Sequence, residues 1–147
     1  MTYERPSHPY RQFPTIPVTG HDGAVAPGKG AIQARLSSLI HPTEDNGRIV
    51  IIAEAYPGVD QEELYALFSP LEPAAAIHSD DLALAPEDID AQIWRDLTDD
   101  PVFAVMTTRR LEEFFPPENL EAARRQIDAV DSGIVLVYGV GASLVCR

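Results

Sequence analysis

The stretch Arg48-Ile49-Val50-Ile51-Ile52-Ala53-Glu54-Ala55-Tyr56-Pro57-Gly58-Val59-Asp60 decides the reading of the fold. Its first half holds four consecutive aliphatic residues, three of them isoleucine, and β-branched side chains favour a pleated strand. The run has no polar face, so the strand is expected to be covered on both sides, as strands of parallel sheets are. Tyr56-Pro57-Gly58 is turn chemistry. Asp60-Gln61-Glu62-Glu63 then reads as a helix start, with an N-cap aspartate and a glutamate three residues on.

Downstream the same grammar repeats. Leu64, Leu67 and Phe68 share one face of a helix over 61–68, and Pro70 and Pro73 close it before a second apolar run at 74–77. Pro86 opens a helix carrying Ile89, Ile93, Trp94 and Leu97, and 102–106 is a third run. Residues 111–115 make a helical turn, Pro117 starts a helix over 118–130, and 134–138 is the fourth strand. Strands separated by single helices, too far apart for hairpins, predict an α/β fold with a parallel sheet flanked by helices.

Upstream, Ile32, Leu36, Leu39 and Ile40 recur at helical spacing over 31–40 and Pro42 stops the pattern. Residues 1–30 hold five of the thirteen prolines and are expected to be an extended or irregular segment ahead of one α/β domain at 31–147. Phe13, Ile16 and Val18 lie among those prolines, which exclude a central strand. Gly20-His21-Asp22-Gly23 marks a loop. The four-strand reading leaves the apolar run 134–138 with only nine residues after it, so the sheet is expected to be cut short at the C-terminus or covered by a partner.

A formal net charge of -12, from 23 acidic and 11 basic side chains, repels phosphate backbones and anionic lipid surfaces, so nucleic acid and membranes are not expected partners. The single cysteine, Cys146, has no internal partner, and the first ten residues carry no signal-peptide pattern. A cytoplasmic location is expected. The most apolar segment, 133–146, is glycine-interrupted and shorter than the ~20 residues that span a bilayer.

In parallel sheets ligands sit beyond the carboxyl ends of the strands, so the turns at 54–60, 78–82, 107–110 and 139–143 are the candidate functional edge. A phosphate loop needs two glycines followed by lysine and a hydroxyl residue. With Gly58 in the place of the second glycine, Val59 replaces the lysine and Asp60 the hydroxyl. Asp60 is better read as a helix cap than as a direct ligand or metal group, and the three carboxylates of Asp60, Glu62 and Glu63 oppose an incoming phosphate. Asp80 and Asp81 are candidate general bases or magnesium ligands, with a solvated turn as the other reading. His78 is read as an ordinary hydrogen-bonded histidine. Arg109 or Arg110 is either a bidentate phosphate clamp or paired with Glu112 and Glu113. Tyr56, Gly58, Gly139 and Gly141 complete the candidate ligand-binding set; Gly139-Val140-Gly141 opens like a dinucleotide fingerprint, but Leu144 stands where its third glycine belongs. No zinc-spaced cluster or serine elbow is present, and no metal site is expected.

The strings Tyr56-Pro57-Gly58-Val59-Asp60, Ser79-Asp80-Asp81, Phe103-Ala104-Val105-Met106 and Val137-Tyr138-Gly139-Val140-Gly141-Ala142 together resemble the N-terminal domain of large bacterial proteins called class I mannose-6-phosphate isomerases. The resemblance runs over about residues 10–145. That domain is in turn similar to uridine-kinase-type P-loop proteins, which implies a kinase-like fold with Ser79-Asp80-Asp81 facing an acceptor sugar. The missing lysine and hydroxyl, and Tyr138 where those kinases keep a glutamate, depart from the pattern. The isomerase chemistry itself belongs to a zinc-binding cupin region further along such polypeptides. The resemblance therefore implies an accessory or truncated kinase-like domain of carbohydrate metabolism, non-catalytic, that binds a sugar phosphate or a cupin isomerase domain or chain. No cofactor is expected. A divergent phosphotransferase, which alone would require nucleotide and magnesium, and a purely structural interaction domain are the alternatives.

Overall fold

The computed structural model describes residues 19–21, 23–40, 47–100 and 105–146. The order of elements is α1 (Gly28–Leu39), β1 (Arg48–Glu54), α2 (Gln61–Phe68), β2 (Ala75–His78), α3 (Pro86–Ile93), α4 (Pro117–Asp128) and β3 (Gly133–Gly139), with short 3-10 turns after several of them. The three strands form one parallel sheet in the order β1-β3-β2. The α/β class read from the sequence is therefore observed.

The last strand, not the first, is the centre of the sheet. Val135, Leu136 and Val137 are fully buried because β3 has a strand on each side and helices over its faces. Among the described residues β1 lies at the edge of the sheet, and Val50 is 36% exposed. This corrects the expectation that 49–52 is covered on both faces: unbroken apolarity is compatible with a lateral position that leaves one side open. It also corrects the expectation that 134–138 lacks neighbours. The chain inserts β3 between the two earlier strands, an order distinct from both 3-2-1 and 2-1-3 doubly wound arrangements.

Two arginines fasten the ends of this insertion. Arg48 Nη1 donates to the carbonyls of Ile127 (2.8 Å) and Val130 (3.3 Å), and its Nη2 pairs with Asp128 at 3.0 Å, which places a cation on the C-terminal end of α4. Arg124 Nε and Nη2 donate to the carbonyls of Val145 (2.9 Å) and Leu144 (3.0 Å), tying down the buried turn Ala142–Cys146. Leu144 and Val145 then pack with Phe115, Ala123, Ile127 and Val137 in the core.

Elsewhere the outcome differs by element. The helix expected over 61–68 has those bounds. The helix opened by Pro86 ends at Ile93, and Trp94 and Leu97, expected on its apolar face, are each 62% exposed. The helix expected from 31 begins at Gly28; Ile32 and Leu36 are half-buried and Leu39 is exposed. Of the strand expected at 102–106, residues 102–104 lie outside the described residues, while Val105 and Met106 are irregular and exposed. The proline segment 1–18 and the turn at 44–46 also lie outside them.

Candidate functional site

The carboxyl ends of the three strands meet at one edge, as parallel order requires. β1 ends in Glu54, β2 in His78 and β3 in Tyr138-Gly139. The His78 and Tyr138 rings stack with centroids 4.8 Å apart at 18°, and Tyr65 from α2 adds a tilted contact to Tyr138 at 5.4 Å. Register places His78 beside Tyr138 and therefore imposes the stack. The result is a three-ring column across the sheet end.

Asp80 and Asp81 sit in the 3-10 turn Ser79–Leu82 that follows β2. His78 Nε2 lies 3.6 Å from Asp80 Oδ2, yet it is a buried nitrogen without a hydrogen-bond partner among the described residues. Ser79 Oγ, wholly buried, also lacks a partner there. Burial, then Tyr65 and the Asp81 and Asp80 carboxylates, push the Tyr138 hydroxyl above the usual tyrosine range. Because the raised value favours the neutral phenol in the folded state, this contribution to stability is complete below the ordinary tyrosine range and is lost as pH rises through the folded value. In alkaline denaturation, Tyr138→Phe is expected to lose less stability above that range than the wild-type protein; equal slopes of stability against pH would contradict the assignment.

Glu54 lies beside the glycine turn. Its Oε1 accepts from the amide of Gly141 at 2.6 Å and its Oε2 from the amide of Ser143 at 2.8 Å. A side-chain carboxylate thus occupies both backbone donors that an anion would use. Gly139 (φ +115°) and Gly141 (φ +79°) have conformations suited to glycine, and a Cβ on Gly141 would lie 2.8 Å from Phe115 Cζ. At the other turn Gly58 (φ +92°) precedes Asp60, whose Oδ1 accepts from the amides of Glu62 (2.9 Å) and Glu63 (3.0 Å). The cap reading of Asp60 matches this geometry. Tyr56 is 82% exposed.

Of the two readings of the arginines, pairing with a local glutamate is observed for Arg109. Arg109 lies 3.8 Å from Asp96 and 3.5 Å from Glu113, in a polar groove of about 330 Å³ that also includes Thr107 and Thr108. The Arg110 amide donates to Glu113 at 3.0 Å. Residues 105–110 do not follow a described strand, so neither arginine is positioned at the sheet edge by the strand that 102–106 was expected to form. A second groove, of about 350 Å³, runs between α1 and α2 and has Lys29, Ile32, Asp60, Glu63 and Leu67 among its lining. Among the described residues no group of three or more histidine, cysteine, aspartate or glutamate residues is arranged to hold a metal ion.

Sequence reasoning placed Glu54 and Ser143 within candidate turns without giving them a role, and missed Tyr65. A single carboxylate ending an aliphatic run was the available signal for Glu54; nothing local marked the other two.

A parallel α/β domain whose conspicuous side chains gather at the carboxyl ends of its strands is the class that fold and edge define. Residues 30–147 match the family described as Domain of unknown function (DUF8485), and the chain belongs to that family. Comparison with curated proteins and with solved structures found no match. No helix among the described residues is long and apolar enough to cross a membrane.

Proposed function

We propose that this chain is a cytoplasmic, non-catalytic accessory domain of a carbohydrate-metabolising protein, similar to uridine-kinase-type P-loop proteins but without their phosphate chemistry. The carbohydrate context rests on the resemblance to the N-terminal domain of the mannose-6-phosphate isomerase proteins. The observation that carries the loss of chemistry is the Glu54 carboxylate seated on the Gly141 and Ser143 amides. Asp60 does the same at the start of α2, with Glu62 and Glu63 beside it. A phosphate entering either turn would have to displace a covalently tethered carboxylate and approach further negative charge. These features count against a sugar phosphate at either turn and leave a cupin isomerase chain as the proposed partner.

Thermal-shift and calorimetric titrations with ATP, with and without magnesium, and with hexose phosphates test this reading. The expected result is no shift with any nucleotide. Magnesium-dependent ATP binding followed by turnover would overturn it. The phosphotransferase reading has one supporting observation, the position of Asp80 at the carboxyl end of β2 beside His78. It requires that Asp80→Asn or Asp81→Asn abolish turnover, and the ion pairs of Arg109 with Asp96 and Glu113 leave Arg110 as its candidate clamp.

A further inference from the structure

The outer edge of β1 has no role in the reading above. The Ala55 amide donates to the Gly139 carbonyl and the Gly133 amide to the Gly47 carbonyl, each at 3.0 Å, so residues of odd number along this strand turn their backbone groups toward β3. The backbone groups of Arg48, Val50, Ile52 and Glu54 consequently point the other way. Among the described residues no strand pairs with that side. The edge runs for seven residues in unbroken register with β3 and contains no proline, lysine or bulge, the usual devices that blunt an edge.

We propose that this edge pairs antiparallel with β1 of a second copy about a two-fold axis at Ile51, joining two three-stranded sheets into one of six strands. Hydrogen bonding in phase requires outward-pointing residues to face one another, which leaves registers centred on Val50, Ile51 or Ile52. Centring on Val50 sets Arg48 against Ile52, and centring on Ile52 sets Glu54 against Val50. Only the Ile51 register sets Arg48 of each copy opposite Glu54 of the other, so the charge pattern of the strand is self-complementary there. The same register lays the exposed Val50 against Ile52 twice, on one face. The bonds of Arg48 to the α4 end and of Glu54 to the Gly141 and Ser143 amides are intramolecular, and the facing charges add a cross-strand attraction to them without replacing them.

Light scattering coupled to gel filtration, with disulfide trapping, tests the proposal on the full chain. The wild-type protein is expected to run as a dimer that dissociates on dilution. In a Cys146→Ser background, which removes the exposed native thiol, Ile51→Cys is expected to oxidise readily to a covalent dimer, because facing non-hydrogen-bonded residues sit ~4.5 Å apart at Cα. Ile49→Cys, whose counterpart would lie ~14 Å away along the strands, is expected to stay reduced. Val50→Lys is expected to weaken the dimer at least ~tenfold with an unchanged circular dichroism spectrum. A wild-type monomer at the highest soluble concentration, equal trapping at positions 49 and 51, or a Val50→Lys dimer as tight as wild type would each overturn it.

Discussion

Gly139→Ala is expected to lower the unfolding free energy by about 3–5 kcal/mol, the largest loss anticipated from any single methyl group at the sheet edge. Two costs combine. At φ +115° the backbone of Gly139 lies where an L side chain is strained, by about 1–3 kcal/mol. The new Cβ would also fall on Ser79 Oγ and 3.2 Å from His78 Cδ2, in a region where Ser79 is wholly buried, and overpacking of that kind costs about 1–3 kcal/mol.

A double-mutant cycle separates the two costs. Ser79→Ala removes the hydroxyl and leaves its Cβ 3.4 Å from the ideal Cβ at position 139, an ordinary contact distance. Alone it is expected to be close to neutral, because Ser79 Oγ has no hydrogen-bond partner among the described residues and its loss relieves desolvation. In the Gly139→Ala background it should recover about 1–2 kcal/mol, the steric share, while the backbone share remains. Urea denaturation of the four proteins measures this. Additive effects, with no recovery, would show that Ser79 does not set the requirement for glycine.

How much of this was legible in the sequence depends on whether the deciding interaction is local. α2 was readable to its bounds because Asp60, the residue before it, caps the amides of Glu62 and Glu63 and its apolar spacing lies within one short window. The trimmed end of α3 has a comparable local origin: its first turn carries proline and acidic residues, but no residue of the helix is buried, so packing does not extend it through Trp94 and Leu97. Strand order is different. Nothing near Ile134 announces that it lies between Ile49 on one side and the start of β2 on the other, since an identical apolar run would serve in any position of a parallel sheet. The candidate site follows the same division. Asp80 and Asp81 were identified from their place after a strand, whereas the Tyr65–Tyr138–His78 column joins three elements and depends on register. Arg109 was placed at the edge only through a strand at 102–106, and Val105 and Met106 carry none.

Glu54→Ala is the second substitution with a large expected effect, about 2–3 kcal/mol of lost stability. The carboxylate takes two charge-assisted bonds from backbone amides, and bonds of that kind contribute about 1.5–3 kcal/mol each before solvent exposure at the Ser143 end reduces the sum. The loss should be regional rather than global in its first effect. Gly141 and Ser143 begin the turn that carries Leu144 and Val145 into the core, and Arg124 holds the far end of the same turn. Releasing the near end leaves that anchor in place, so amide exchange at Gly141 and Ser143 is expected to accelerate well before exchange in the β3 interior. Glu54→Gln distinguishes charge from shape: its one carbonyl oxygen can serve a single amide, while its NH2 meets the other amide donor to donor, so it should lose nearly as much as alanine. Unchanged exchange at both amides in Glu54→Gln would mean that the carboxylate does not hold the turn. It would also remove the physical ground for reading this turn as a phosphate cradle filled from within, because a carboxylate that can be replaced without effect is no barrier to an incoming anion.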